Sequence, residues 1–369
     1  MTKSFSRFVK FLALASLGIL AGLAANHLLW GQPRPGAAQK GAEAAPIPAA
    51  VPYIDTHTHF DEKDANGTVQ AVLKATRVEN AAKIYLQIPP FDFKDSDKYD
   101  AEVLLPAAKK YPDKMGVLGG GGSLNPMIME ALSTGKAGPD VQKKFRDRAE
   151  ELVREGVAGF GEMAGEHFVG ATGYEYAPPD HPLYLLLADV AAQAGVPIDI
   201  HMESVPQAMA LPPELKSPPN AAQLHENITH FERLLSHNPR AKIIWAHLGT
   251  DMTGFRTPEI SRRLLAAHSN LYLEIKYDPK LPGKNPVWVD GVVKAEWLKL
   301  FQEYPDRFVF GSDQHYPLEG QPIRWQSEVQ ILNQLPPDLR KKMAAENAQH
   351  IFQAKAGGGA AGAETKSTY

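Results

Sequence analysis

Short apolar runs recur along the chain from Pro52 onward, and each is followed by a longer stretch in which apolar residues return every three or four positions. A short, almost wholly apolar run is typical of a strand buried on both faces of a parallel sheet, whereas the longer period is that of an amphipathic helix. The runs predict eight strands, at 52–57, 83–88, 114–119, 157–163, 196–202, 242–248, 270–277 and 307–313.

The stretches between these runs predict helices. The clearest are 146–156, 181–195 and 226–236. The second of these also has end signals, because Asp180 can cap its first turn, Pro182 fits within that turn and Gly195 can close the last one.

Eight strands alternating with helices predict an α/β fold of the (β/α)8 type, a TIM barrel, in a single catalytic domain over residues 52–353. The rival is a doubly wound open sheet, which carries a glycine-rich turn after its first strand. The stretch THTHFDEKD after the first predicted strand contains no glycine. The run Gly119–Gly122 follows the third strand without a Lys-Ser or Lys-Thr pair, so we interpret it as a close approach of backbone to a ligand or another strand.

The two ends of the chain differ from this pattern. Three basic residues in the first ten positions precede the apolar run 11–25, which predicts a signal peptide or an N-terminal membrane anchor over residues 1–30. Both alternatives export the catalytic part, to the periplasm or medium or to the membrane surface. Residues 31–51 are rich in proline and alanine and predict a linker, and residues 354–369 predict a disordered tail.

Composition narrows the chemistry. The 369 residues are 44% hydrophobic and 22% charged, as in an ordinary globular protein, and the net charge of −3 gives no reason to expect a nucleic-acid partner. We expect a small-molecule substrate, and membrane contact only through the N-terminal segment; the sequence sets no oligomeric state. Because the chain has no cysteine, a metal could be held only by histidine, aspartate or glutamate.

Metal-competent side chains stand where predicted strands end. His57 and His59 are two positions apart and so point to the same face of the first strand, where converging imidazoles suit a transition metal such as zinc. Barrel enzymes carry their chemistry at the strand ends. Four further residues occupy such ends, namely Glu162, His201, His247 and Asp313. A metal site explains this placement better than a polar turn, and we expect the histidines of helical stretches to lie on the surface: His225, His230, His237, His268 and His350.

From Pro52 to Phe352 the chain resembles the amidohydrolase superfamily of metal-dependent hydrolases, more closely its amidohydrolase-related and TatD-like branches. The resemblance rests on DTHTH at the first strand, IHM at the fifth, AHLG at the sixth and GSD at the eighth. The closing segment ENAQHIF, at 346–352, is similar to the terminal helix of the family.

The resemblance implies roles for the histidines. His57 and His59 match the pair that holds the more buried metal. His201 and His247 match ligands of a second metal or, in one-metal members, a ligand and a polar group on the substrate side. The implied cofactor is a divalent metal, zinc by preference, as one or two ions.

The resemblance also implies roles for two acids. Asp313 matches the aspartate that binds metal and handles the proton of the attacking water, so Asp313 and His247 are the expected catalytic residues. Glu162 stands where many two-metal members have a carboxylated lysine, and it either bridges two metals or lines a one-metal site. A bound divalent ion lowers the pKa of water from about 15.7 to near 7, which makes hydroxide available at neutral pH.

The predicted function is that of a metal-dependent hydrolase that cleaves an amide, lactone or ester. One alternative is a zinc-dependent, non-oxidative decarboxylase of the amidohydrolase-related branch, and another is a non-catalytic exported barrel that binds metal. For the substrate, His167 in the loop after the fourth strand and Lys276 after the seventh are the candidates. Lys276 would favour an anionic substrate, or it would form a structural ion pair with Glu274 or Glu162.

Overall fold

Eight parallel strand positions form the centre of the fold in this computed structural model, which describes residues 48–95, 98–168, 174–216, 220–278, 283–317 and 323–353. All eight predicted strands are present, and the first and fourth run several residues beyond their predicted ends. Their bounds are β1 Tyr53–Phe60, β2 Ala81–Gln87, β3 Met115–Gly120, β4 Gly159–His167, β5 Pro197–Met202, β6 Lys242–Leu248, β7 Leu271–Ile275 and β8 Phe308–Phe310.

The sheet closes on itself through the eighth strand position. Neighbouring strands pair in chain order from β1 to β8, and a further short strand, Gln314–Tyr316, pairs in parallel with β1. Across the join, the Thr56 hydroxyl donates to the Phe310 carbonyl at 2.8 Å and the Asp313 amide donates to the His57 carbonyl at 2.8 Å. The architecture is therefore an α/β fold of TIM-barrel type, as the alternation of strands and helices predicts.

Helices follow the strands and pack their apolar sides on the sheet. Their bounds are α1 Ala65–Val78, α2 Leu105–Lys110, α3 Leu124–Thr134, α4 Pro139–Glu155, α5 Pro182–Ala194, α6 Ile228–His237, α7 Pro258–Ala267, α8 Ala295–Glu303, α9 Trp325–Gln334, α10 Pro337–Lys341 and α11 Asn347–Ile351, with a π-helical turn at Lys342–Glu346 between the last two.

The start of α5 differs from the sequence-based prediction. Its N-cap is His181, whose Nδ1 accepts from the Leu183 amide at 3.3 Å, and not Asp180. The Asp180 carboxylate instead accepts from His230 at 2.7 Å and from Arg233 at 2.9 Å, so it ties α5 to α6. Gly195 ends the helix in the left-handed conformation, as predicted.

The fold has two apolar cores. The larger lies between the strands and the helices. The smaller gathers side chains from six different strands around Ala348 and Ile351 of α11: Ile54, Tyr85, Leu118, Ile244, Tyr272 and Val309. Because these strands contribute one side chain each to a single cluster, the cluster lies inside the barrel, and α11 closes that end. The polar side chains of the predicted site lie at the other end of the barrel, where the strands finish.

Shorter features complete the described chain. Glu175–Tyr176 pairs antiparallel with the end of β4, and two further two-residue strand pairs lie outside the barrel. A Cβ on Gly121 would lie 2.8 Å from the Ile88 carbonyl oxygen, so the glycine run does lie close against neighbouring backbone, as predicted. No helix among the described residues has both the length and the apolar character needed to cross a bilayer. The predicted segment 1–30 and tail 354–369 lie outside the described residues.

Candidate metal centre

The two histidines of β1 project together from the end of the strand. His57 is fully buried, His59 is 3% exposed, and their ring centroids are 5.1 Å apart. The pairing of β1 with β2 shifts register between Asp55 and Thr58, an irregularity of the kind that re-aims side chains. His59 is fixed further by the Gln87 carbonyl, 3.2 Å from its Nδ1.

Glu162 of β4 lies at the centre of the predicted ligands. Its Oε1 is 2.7 Å from His201 Nδ1, 3.4 Å from His247 Nε2 and 3.7 Å from His57 Nε2. Its Oε2 is 3.5 Å from His59 Nε2. Four strands of the barrel thus bring these five side chains to one point, as their positions at strand ends predict.

Asp313 completes the set through β1. Its Oδ1 lies 2.9 Å from His59 Nε2, and its backbone amide is the one bonded to the His57 carbonyl. Its φ of 53° is left-handed, as is the 67° of His247, and such strained backbone is typical of functional sites. All six residues predicted to hold metal therefore occupy one end of the barrel.

Within this set, two overlapping groups offer ligand atoms that all lie within 4.8 Å of one another. The first is His57, His59 and Asp313, and the second is His57, Glu162 and His247. His201 belongs to neither group and reaches the site through its bond to Glu162.

The residues fit a divalent transition metal. His57 Nε2 is buried and has no hydrogen-bond partner among the described residues, although it faces Glu162. A buried polar atom without a partner is costly unless something else satisfies it. Imidazole nitrogens with carboxylate oxygens are the donor set that zinc and similar ions accept.

Burial and neighbouring charges shift the pKa values of several predicted ligands. Burial raises the pKa of Glu162, but His57, His201 and His247 outweigh that effect and hold it well below its usual value. Burial, reinforced by His167, lowers the pKa of His201 to about 3. Burial and Lys276 hold the pKa of His247 well below its ordinary value. The carboxylate is thus ionised and these two imidazoles are neutral, which are the forms that bind a metal.

Two cations contact Asp313. Lys276 Nζ and Arg324 Nη1 each lie 2.5 Å from Asp313 Oδ2. Burial raises the pKa of Asp313, but Lys276 and His59 outweigh it and hold the pKa well below its usual range. The sequence analysis gave Lys276 a structural ion pair as its alternative role. The ion pair forms, but its partner is Asp313 and the predicted partners, Glu274 and Glu162, were wrong.

His167, the other residue predicted to meet substrate, lies beside the centre. Its ring contacts that of His201 at a centroid distance of 4.5 Å, and its Nδ1 is 3.4 Å from Glu175 Oε2. Burial raises the pKa of Glu175 to about 7, although His167 opposes the rise. The loop after β4 is partly strand, because β4 itself continues to His167.

The sequence did not predict that two buried acids contact His57 or that a second cation contacts Asp313. Asp199 and Glu274 approach His57 Nδ1 at 3.2 and 2.9 Å, and Arg324 lies on the chain segment after β8. The sequence does carry a signal for the two acids, because each is a charged residue within a largely apolar strand: Asp199 in IDIHM and Glu274 in LYLEI. Asp55, two residues before His57 on the same strand, accepts from the Ser312 hydroxyl at 2.5 Å.

The histidines predicted to lie on the surface stay outside the centre. His225 and His350 are exposed, while His230 and His237 contact Asp180 and Asp189. His268 is more buried than predicted, with 11% of its side chain exposed beside Glu232.

Comparison with known proteins gives a family. A family model described as amidohydrolase matches residues 54–353. No curated protein matches the sequence.

Several solved structures are similar in fold. One is named for 2-pyrone-4,6-dicarboxylic acid hydrolase from Acinetobacter baumannii with citric acid bound (12% identity, 82% of this chain and 99% of that chain, TM-score 0.49). Another is 2,6-dihydroxybenzoate decarboxylase from Rhizobium (17%, 83% and 99%, TM-score 0.47). A third is dihydroxybenzoic acid decarboxylase from Polaromonas sp. JS666 with bound manganese and 2-nitroresorcinol (15%, 82% and 97%, TM-score 0.49).

At these identities and TM-scores the similar structures identify neither a reaction nor a substrate. The family model, by contrast, covers the barrel from β1 to the last helix and most of the chain. The protein therefore belongs to the amidohydrolase family of metal-dependent enzymes.

Proposed function

We propose that the protein is a metal-dependent hydrolase that cleaves an amide, lactone or ester with water activated at the strand ends of its barrel. The observation that carries the proposal is the buried Nε2 of His57, which faces Glu162 without a hydrogen-bond partner among the described residues. A ligand set this complete and this buried supports a working centre over a barrel that only stores metal. Zinc, as one or two ions, is the proposed cofactor.

A bound divalent ion would supply Lewis acidity, which acidifies water and polarises the scissile carbonyl. His57, His59, Glu162, His247 and Asp313 are the residues that would hold it. Asp313 also has the proton-handling role. Its Oδ1 lies beside His59 Nε2, whereas its Oδ2 is bound by Lys276 and Arg324. From Oδ1 it would accept the proton of the attacking water and return it to the leaving group.

The cations also bear on the substrate. Lys276 and Arg324 together carry one positive charge more than the single Asp313 carboxylate that both contact. A substrate anion bound by them would relieve the charge that keeps Asp313 a weak base. The same feature suits the decarboxylase alternative, since the substrate of such an enzyme is itself a carboxylate.

A substrate screen combined with one variant tests the proposal. The metal-loaded protein should hydrolyse a member of a panel of lactones, esters and amides, and Asp313→Asn should lower turnover by about 10²–10⁴-fold, the usual contribution of a general base. Asp306→Asn, an exposed aspartate just before β8, is the matched control and should keep full turnover. Full activity in Asp313→Asn with metal content confirmed would remove the proposed base. Release of carbon dioxide from carboxylic acids tested alongside the panel would favour the decarboxylase.

We also propose, from the sequence, that residues 1–30 direct the protein out of the cytoplasm, either as a cleaved signal or as an anchor. The basic start and the apolar run support export in both cases. The substrate would then be one that is met outside the cytoplasm.

A further inference from the structure

Two buried acids lie along the edge of the His57 ring opposite Glu162. Asp199 of β5 and Glu274 of β7 are both 0% exposed. Asp199 Oδ2 is 3.2 Å from His57 Nδ1 in hydrogen-bonding geometry. Glu274 Oε2 is closer, at 2.9 Å, but lies off the N–H direction, so Asp199 is the hydrogen-bond partner and Glu274 an adjacent charge.

Glu274 reaches a second imidazole as well. Its Oε1 lies 3.5 Å from His247 Nδ1 without forming a hydrogen bond, so it acts on that nitrogen as a nearby negative charge. The Nε2 atoms of His57 and His247 both face Glu162 Oε1, at 3.7 and 3.4 Å. The ring planes are tilted by 57°, but in both rings Nδ1 lies towards the acids and Nε2 towards the predicted metal centre.

The barrel interior leaves space for these acids at two glycines. A Cβ on Gly311 would lie 2.4 Å from Glu274 Cδ, and a Cβ on Gly161 would lie 2.9 Å from Asp199 Cβ. Any larger residue at either position would displace the acid beside it, because protein interiors are close-packed. The acids thus occupy space that the neighbouring strands keep open.

We infer that Asp199 and Glu274 are positioning residues, which keep the proton on Nδ1 of His57 and His247 and leave both Nε2 lone pairs free for the metal. A metal-bound imidazole carries its proton on the other nitrogen, and an acceptor for that proton fixes both the tautomer and the ring. The inference rests on the metal centre of the proposed function. His57, Asp199 and Glu274 also form a group whose ligand atoms lie within 4.8 Å, but here the acids hold a proton and not an ion, since Nε2 is the nitrogen that faces the other ligands.

Metal affinity tests the inference without any substrate. Zn²⁺ is titrated into full-length wild type, Asp199→Asn and Glu274→Gln in competition with a chromophoric chelator. Each variant should bind Zn²⁺ about 10–100-fold more weakly with unchanged stoichiometry, as is usual when the partner of a ligand histidine is lost. The matched control is Glu328→Gln, a buried acid that accepts from the Tyr277 amide, and it should bind as wild type does.

Three outcomes of the titration would count against the inference in different ways. Wild-type affinity in both variants would overturn the positioning role while leaving the metal centre intact. Loss of one ion per chain in either variant would make that acid a ligand and overturn the role as well. A wild-type protein that binds no Zn²⁺ would overturn the metal centre and the inference with it.

A second test has its main measurement on the wild-type protein, so it holds even if a variant does not fold. In the Zn²⁺-loaded, ¹⁵N-histidine-labelled protein, long-range ¹H–¹⁵N spectra should place the proton on Nδ1 of His57 and of His247. In Asp199→Asn, the His57 Nδ1 proton should move upfield, because it no longer donates to a charged acceptor. A proton on Nε2 of His57 in the loaded wild type would overturn the inference.

Discussion

At the scale of the residue, burial decides the protonation of several acids at the open end of the barrel. Glu166 of β4 is fully buried and accepts from the Tyr174 hydroxyl at 2.8 Å. Burial raises its pKa to about 8 although that hydrogen bond opposes the rise. At neutral pH this carboxyl is therefore mostly protonated in the folded state and ionised in the unfolded chain.

This shift predicts a pH dependence of stability with a definite sign. Between its ordinary value of 4.5 and about 8, Glu166 keeps a proton in the folded state that the unfolded state has lost, so its effect is to lower stability as pH rises. In urea denaturation, the free energy of unfolding of Glu166→Gln should rise relative to wild type across that window, by up to about 1.4 kcal/mol per pH unit. Glu130→Gln, at an exposed position of α3, is the control; a Glu166→Gln curve parallel to wild type would contradict the shift.

That the predicted ligand residues meet at one end of the barrel could be anticipated from the sequence, and their partners could not. His57 and His59 are visible in the sequence because two imidazoles at i and i+2 must share a face. Asp199 and Glu274 are adjacent to His57 only because β5 and β7 bring them there from distant parts of the chain. Periodicity within one strand carries no information on which strand lies across the barrel.

At the scale of the element, the ends of β5 and β6 are held by one buried guanidinium. Arg256 is 1% exposed and donates to the carbonyls of Met202, Ala246 and His247. Its Nη2 also lies 3.8 Å from Glu203 Oε1. These contacts fix the turn at which His247 takes its left-handed conformation, immediately beside the metal centre.

Removing this guanidinium should be costly. Arg256→Ala removes three hydrogen bonds donated by a charged group, each worth about 1.5–3 kcal/mol. The Met202 carbonyl keeps the Trp245 indole as a donor and the His247 carbonyl keeps Thr250, so these two stay partly satisfied. The free energy of unfolding should therefore fall by about 3 kcal/mol or more in urea denaturation. Arg263→Ala on α7, which removes an exposed ion pair with Glu232 of α6, should cost about 1 kcal/mol or less. Equal losses in the two variants would mean that Arg256 does not hold the strand ends.

The strands were predictable as elements because each is a short apolar run, and a run buried on both faces has few alternatives. The interruption of the eighth strand after Phe310 was not predictable. The run 307–313 reads as one strand, but in the structure β8 ends at Phe310, and Gly311 leaves room for Glu274. That break follows from packing inside the barrel, which a local sequence pattern does not contain.

At the scale of the whole molecule, the barrel begins slightly before its first strand. The Ala50 amide donates to Asn333 Oδ1 at 2.8 Å, and Asn333 Nδ2 donates to the Pro48 carbonyl at 3.1 Å. Asn80 Nδ2 donates to the Ala49 carbonyl at 3.1 Å. Residues 48–50, at the end of the predicted linker, thus bond to α9 and to the turn before β2.

These bonds set where the chain can be shortened. A variant lacking residues 1–47 should be soluble, bind metal and remain in the cytoplasm, whereas the full chain should fractionate outside it. A variant lacking residues 1–51 also loses three hydrogen bonds, each worth about 1 kcal/mol, and should melt at a lower temperature than the first. Full-length protein found in the cytoplasm at full mass would contradict the export proposal. If the variant that lacks only residues 1–47 is insoluble, these residues belong to the fold.

We propose above all that the strand ends of the barrel hold a divalent metal through His57 and His59. Metal content per chain, measured by mass spectrometry on purified wild type, His57→Ala/His59→Ala and the control His225→Ala/His350→Ala, tests it most directly. Both control residues are exposed and lie outside the centre. Wild type and control should carry equal metal, and the His57→Ala/His59→Ala protein should carry almost none and melt at a lower temperature, since bound metal stabilises the folded state. Undiminished metal in that double variant would contradict the account.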